Sequence, residues 1–427
     1  MATPGGPAEE RGAVGPAEER GPVGPAEERG TAGPAEERGT GEPAEERGTG
    51  GPAEERRTSS VELFWDLVFV FAVTQVATLL SRNLSWAGFG RAMLILALVW
   101  WAWSAFVWAA NAQDDDSVPL RLALLVAAAF IFITGLAIPG AFGSEALLFA
   151  VTYAVVRFMH LALYADASRR GNASWAAIAG FAVTVTIGMA LLISGAIAHG
   201  SARIVLWAAA VAIDYAGPAW LTRERLRGLQ QVAVAHFAER YSLFVIICLG
   251  ESIVAIGVGA TSRHGPLDAQ VVEIVALGLL ITVAMWWTYF DRIAALAERH
   301  LRTHRDPVLA AADAYSYLHL LIVAGIITFA AGVRVLVRAP GVAPPADVRL
   351  ALCGGVALYL VGHVAFALRM TGTVGYEKLI AAAALLILAA ASGGTSAILL
   401  TALIAALLGA LCIAERITME RRLRPPA

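Results

Sequence analysis

The chain has 427 residues, 58% of them hydrophobic and 15% charged, with a mean hydropathy of +0.66 and a formal net charge of -2. A soluble domain of this length does not carry that composition, whereas a polytopic membrane protein whose apolar runs face lipid does. Acids of an N-terminal repeat dominate the charge balance, and nothing in the composition calls for a nucleic-acid partner or a cofactor.

Residues 1–57 repeat a nine-residue unit built on PAEERG, with copies beginning at Pro7, Pro16, Pro25, Pro34, Pro43 and Pro52. Pro and Gly interrupt every copy and large apolar residues are scarce. Such a segment buries too little surface to offset its ordering entropy, so a disordered tail is expected. It lacks the basic start and apolar core of a cleavable signal peptide.

From Val61 onward about twelve apolar spans follow, each near the ~20 residues that a bilayer requires. They run roughly 61–81, 88–110, 118–138, 145–166, 174–195, 202–221, 240–260, 270–290, 308–336, 348–369, 376–392 and 395–414. These runs are too long for barrel strands, and otherwise only helices satisfy the backbone in lipid. The expected fold class is therefore all-α, a polytopic helical membrane protein of about 12 transmembrane helices. The membrane domain spans 58–415, and 416–427 form a short cytoplasmic tail. Related features recur at growing offsets: Glu62 and Glu239, Trp100-Trp101 and Trp286-Trp287, Pro119 and Pro307, His160 and His363. They raise two parallel six-helix halves, 61–221 and 239–415, with chance similarity of apolar helices as the alternative.

Charges inside these spans are the informative residues, because an ionisable group at a helix centre costs roughly 2.5–3.5 kcal/mol on insertion scales. Glu62 and Asp66 are four apart in the first span, hence on one helical face. Arg157 and His160 share a face of the fourth span, Asp214 lies in VAIDYAGP of the sixth, and Glu251 follows Gly250 in the seventh. Three deep acids then face one deep arginine. The surplus negative charge calls for a bound cation, protonation or a histidine. The competing reading is an interhelical ion-pair network that only fixes packing. Glu239 and Arg240 form a candidate cytoplasmic gate, or an interfacial ion pair.

Other features carry less. His319 and His363 read as packing histidines. His300 and His304 have metal-compatible spacing but lie in a basic loop, so no metal site is expected. Asp114, Asp115 and Asp116 resemble one half of a magnesium–diphosphate site, and the loop after span six offers only Glu224 as a second half. Cys248, Cys353 and Cys412 are widely separated and form no disulfide framework. Lys378, the only lysine, sits at a span end. P-loop, nucleophile-elbow and zincin motifs are absent, and no catalytic residue is assigned.

ELFWDLVFVFA at 62–72, NAQDDDSVPLR at 111–121, VVRFMHLALY at 155–164, DYAGP at 214–218, HFAERYSLFVIICLGESIVAIG at 236–257, WWTYFD at 286–291 and HLLIVAGIITFAAGV at 319–333 together resemble the bacterial low-temperature requirement protein A family. The resemblance implies a multi-pass cytoplasmic-membrane protein linked to growth in the cold, and it implies no particular reaction or substrate. The leading expectation is ion- or proton-coupled transport of a small solute. Asp66, Asp214 and Glu251 would be the responsive acids, Arg157 their counter-ion or an anion clamp, and His160 a proton relay. The alternatives are a membrane-embedded enzyme acting on a lipid carrier and a non-catalytic protein of stress adaptation.

With the N-terminus inside, Arg and Lys favour the inside segments by more than two to one, so both termini are expected in the cytoplasm. Reporter fusions at the PAEERG tail and after Arg424 should both read cytoplasmic. A periplasmic signal from either end would exclude an even number of spans.

Overall fold

The computed structural model describes residues 58–111, 118–170, 175–218, 234–263, 266–291, 300–301 and 304–423. The PAEERG repeat, the Asp114–Asp116 cluster and the basic segment around Glu224 lie outside the described residues. Among those described, twelve long helices follow one another, and no strand occurs. They are α1 (Ser60–Arg82), α2 (Trp86–Asn111), α3 (Val118–Ala137), α4 (Ala146–Arg169), α5 (Trp175–Ile197) and α6 (Ser201–Ala216). The remainder are α7 (Val234–Thr261), α8 (Ala269–Phe290), α9 (Pro307–Leu336), α10 (Ala346–Thr371), α11 (Tyr376–Ala391) and α12 (Ala397–Leu423). Ten are long and apolar enough to cross a membrane, while α6 and α11 are shorter, at 16 residues each.

Each expected span coincides with one helix, with differences at the ends; α7, for instance, begins at Val234, six residues before the expected 240. The regular helix of α6 runs to Ala216, Gly217 and Pro218 continue in a wider π turn, and the expected end at 221 lies outside the described residues. Conversely, α12 runs to Leu423, through most of the segment expected to be a tail.

Local chemistry sets several helix starts. Ser59 accepts from the Glu62 amide and Glu62 accepts from the Ser59 amide, a reciprocal capping box that begins α1. Asp268 caps α8 through the Val271 amide, and Asp306 followed by Pro307 starts α9. Within α9, residues Ala312–Leu318 form a π-helical segment, the kind of local widening that re-aims side chains at functional sites.

In packing, α1 meets α2 and α3, α3 meets α4, α4 meets α5, and α5 meets α6, while α2 also meets α6. The later helices repeat that order: α7 meets α8 and α9, α9 meets α10, α10 meets α11, α11 meets α12, and α8 meets α12. The chemistry is not repeated with it. Trp100 and Trp101 are buried, whereas Trp286 and Trp287 face outward. Between the two sets, α1 packs on α7 and α9. Large apolar side chains such as Leu67, Leu122, Val183, Leu280, Ile380 and Ile387 stay on the outer surface, as lipid-facing residues do. Trp86, Trp175 and Tyr376 are exposed near helix ends, as expected of interface anchors. Trp207 is not such an anchor: it is fully buried and donates to the Leu192 carbonyl at 2.9 Å. Gly195 leaves the space that its ring fills.

The closest approach joins α9 and α10, where glycine replaces side-chain bulk with backbone contact. A Cβ on Gly325 would lie 2.4 Å from the Tyr359 amide nitrogen, and one on Gly355 would lie 2.5 Å from that of Phe329. Next to it, a Cβ on Gly354 would meet only the Leu350 side chain, at 3.5 Å. Gly355→Ala should therefore lower the yield of folded protein, while Gly354→Ala should be neutral or stabilising by up to ~1 kcal/mol, the usual helical gain of Ala over Gly. Monodispersity and melting in detergent separate the two outcomes.

Candidate functional site

The expected site residues occupy three places rather than one. The first lies at the Ser60 end of α1. Glu62 and Asp66 form one stripe of α1, and His236 and Arg240 form a matching stripe of α7. Arg240 donates Nε to Asp66 Oδ2 at 3.1 Å and Nη2 to Asp66 Oδ1 at 2.6 Å, and its Nη1 lies 3.0 Å from Glu62 Oε1. His236 Nε2 sits 3.2 Å from Glu62 Oε2, and the Trp103 indole of α2 donates to Asp66 Oδ1 at 2.7 Å. Arg240 is 1% exposed and Asp66 0%. The expected Glu239–Arg240 gate pair does not form this cluster. Neighbouring residues point about 100° apart on a helix, so with Arg240 turned toward α1, Glu239 faces outward and is exposed.

The second place lies on another side of α2. Arg157 of α4 donates Nη2 to Asp214 Oδ1 of α6 at 2.7 Å, and both residues are buried. They border a cavity of about 70 Å³ among α2, α4, α5, α6 and α9, large enough for a few waters. Trp101, Trp108, Tyr164, Phe181 and Tyr317 supply aromatic walls; Ser104, Asn111, His160, Thr184 and Ser316 supply polar atoms. Trp101 faces the Asp214 carboxylate and stacks on Tyr215 with ring centroids 4.0 Å apart. Among the described residues, several buried atoms here find no hydrogen-bond partner: Arg157 Nε and Nη1, Asp214 Oδ2, His160 Nδ1 and Asn111 Oδ1.

Ser316, in the π segment of α9, forms one wall of the cavity. Its carbonyl accepts from Trp100 Nε1 at 2.6 Å; its hydroxyl receives Trp108 Nε1 at 2.8 Å and lies 3.0 Å from both Ser104 Oγ and the Tyr241 hydroxyl. Sequence reasoning passed over Ser104, Tyr241 and Ser316. The available signal was the density of indoles in WWAWSAFVW, because a buried indole N–H needs an acceptor.

Glu251 occupies the third place. It accepts a hydrogen bond from the Thr74 hydroxyl of α1 and lies within the field of Arg334 of α9. It does not pair with Arg157. Asp66 and Asp214 are likewise held by different indoles of α2, Trp103 and Trp101, so that helix stands between them. The expected meeting of Asp66, Arg157, Asp214 and Glu251 in one region is thus replaced by separate partnerships. Of the remaining histidines, His319 is held by the Tyr289 hydroxyl at 2.8 Å and by the Ala314 carbonyl at 3.1 Å. Lys378 is buried against Glu415 at 2.5 Å, a pair that joins α11 to α12.

Helices of membrane length that enclose ion pairs and a polar cavity define a multi-pass integral membrane protein. The family model described as Bacterial low temperature requirement A protein (LtrA) matches residues 57–413, and the chain belongs to that family. An uncharacterized protein of Rhizobium meliloti (strain 1021) is 33% identical over 313 residues, covering 72% of this chain and 76% of the relative. No solved structure matches.

The Arg240 cluster makes two acids unequal. Asp66 takes both arms of the guanidinium and an indole, so Asp66→Asn and Arg240→Ala should each cost about 3–5 kcal/mol, as breaking a buried pair does. Glu62→Gln should be far milder, because Gln still closes the capping box and removes one of two acids that share a single arginine. Unfolding in a denaturing detergent titration checks the order; a Glu62→Gln protein as unstable as Asp66→Asn would refute it.

Proposed function

We propose that this protein is a transporter of the bacterial cytoplasmic membrane, that it moves a small polar solute coupled to a proton or cation, and that the Arg157–Asp214 cavity is its solute site. The observation that carries this reading is a buried ion pair that is only half satisfied. Taking an arginine and a carboxylate out of water costs several kcal/mol per ion, and that cost is offset fully only when every donor and acceptor is met. Here two guanidinium nitrogens and one carboxylate oxygen are left over, beside unmet His160 and Asn111 atoms, around a cavity. The Arg240 guanidinium differs: each of its three nitrogens reaches a carboxylate oxygen. An open pair at membrane depth supplies donors and acceptors to an occupant.

The lining defines the occupant's chemistry. Arg157 offers N–H groups to an acceptor or anionic group, and Asp214 and Asn111 offer oxygens to a donor. The indole and phenol rings suit a flat or aliphatic remainder. In this reading His160, three residues from Arg157 on the same face, carries a proton between solute and pair, and Asp66 keeps its charge as part of the closed Ser60 end. Growth in the cold, which the family name connects with its members, is the cellular readout.

Arg157→Gln alone should destabilise the protein, because it leaves Asp214 buried without its cation. The double variant Arg157→Gln/Asp214→Asn replaces the ion pair by two neutral amides of similar shape and should fold. Small zwitterions, carboxylates and amines screened by thermal shift should include compounds that raise the wild-type melting temperature but not that of the double variant, and those compounds should cross reconstituted vesicles only with the wild type. A double variant that folds and keeps full flux would reduce the pair to scaffold.

A further inference from the structure

Glu251 stands apart from both the clamp at the Ser60 end and the cavity. It lies ten residues before the end of α7, about 15 Å along the axis at 1.5 Å per residue, and so deep in a ~30 Å hydrocarbon core. The side chain is buried, and among the described residues only Oε2 finds a hydrogen-bond partner, the Thr74 hydroxyl. From Thr74 a polar file continues toward the opposite end of the bundle. Thr78, one turn further along α1, donates to the Thr74 carbonyl at 2.8 Å, and Arg334 of α9 donates Nη1 to the Thr78 hydroxyl at 2.7 Å. Thr74, Thr78 and Arg334 are all half-buried, and Arg334 is two residues from the end of its helix. The file therefore runs from the Arg82 end of the bundle to a single buried carboxyl, along the junction where α1, α7 and α9 meet.

We propose that Glu251 is a proton-binding site served from the Arg82 end of the bundle through this file. In the topology expected from the arginine bias, that end is the outer face. Binding moves a proton from hydronium to the open oxygen, Oε1: one O–H bond of hydronium breaks, one O–H bond forms on the carboxyl, water is released and the carboxylate becomes a neutral acid. The neutral acid still accepts the Thr74 hydrogen bond, and it no longer buries a charge with an unmet oxygen. Arg334 stays charged throughout and passes no proton; with the two threonines it gives water hydrogen-bonding partners along the route. A metal cation fits the place poorly. Among the described residues one carboxylate is available, the Thr78 hydroxyl already accepts from Arg334, and that guanidinium stands at the entrance. The other groups that face Glu251 are few. Cys248 precedes it on its own helix, Arg334 comes from α9 with Arg82 and Arg338 beyond it, and α1 presents Thr74. Among the described residues, α2 and α8 present no charged group to it.

As the coupling-ion site of a transporter, Glu251 depends on the reading given above. As a protonation site it does not, so the test uses protonation itself. Infrared difference spectra of the full chain in lipid vesicles, taken between mildly acid and mildly alkaline pH, should show a protonated-carboxyl C=O band that titrates. Glu251→Gln should abolish that band, and Glu62→Gln and the double variant Arg157→Gln/Asp214→Asn, both expected to fold, should retain it. Thr74→Val, which keeps the shape and removes the hydroxyl, should move both its frequency and its midpoint. Sodium at constant pH should leave the band unchanged. A band that is absent, that survives Glu251→Gln, or that fails to respond to pH would overturn the proposal. Intact protonation with no solute flux would instead count against transport alone.

Discussion

One guanidinium organises the contact between the early and late helices. Arg240 reaches Asp66 with two donors and Glu62 with a third, so the register of α1 against α7 is set by hydrogen-bond geometry rather than by apolar packing alone. Lipid makes this contact decisive. Between membrane helices the hydrophobic effect discriminates weakly, and polar contacts and close fit choose partners. The same residues also act locally. Glu62 closes the capping box that starts α1, and Asp66 anchors the Trp103 indole of α2. Helix start, helix register and the placement of α2 thus converge on two acids four residues apart.

Once α2 is held there, its sides diverge. Trp103 points toward the clamp, while Trp101, Ser104 and Trp108 point into the cavity and toward Ser316. The π segment of α9 matters for the same reason. It carries Ser316, whose carbonyl and hydroxyl together meet two indoles, a serine and a tyrosine. Few of these groups are charged, yet they shape the wall on which the Arg157–Asp214 pair opens.

The buried charges form a graded series. Around Arg240 every guanidinium nitrogen reaches a carboxylate oxygen, while among the described residues Glu62 Oε1 and His236 Nδ1 lack a full hydrogen bond. At Arg157–Asp214 one strong bond is made and several atoms remain open. At Glu251 a single hydroxyl supports one oxygen, and the nearest cation is one threonine further on. Because an unmet polar atom in lipid costs more than one in water, the less complete members are where a ligand or a proton has most to contribute.

The chain's class and helix positions were legible in the sequence, because bilayer thickness imposes a span length and apolar runs record it. The deep charges were visible too, since Asp66, Arg157, Asp214 and Glu251 lie inside runs whose other charges, such as Glu62, Arg203 and Arg240, sit near the ends. Their partners were not visible. Arg240 read as an interfacial residue beside Glu239, and Lys378 as a span end, although each meets an acid of another helix. Periodicity reports which residues share a face of one helix, and it carries no information about which face of another helix arrives opposite. That is set by how glycines let α9 approach α10, by where a π segment turns Ser316, and by which guanidinium reaches which carboxylate. Span number and depth of charge therefore belonged to the sequence, while the division of those charges into a clamp, an open pair and a lone acid was decided only by tertiary packing, because a hydrogen-bonded ion pair needs its partners within about 3–4 Å and only packing brings side chains of different helices that close.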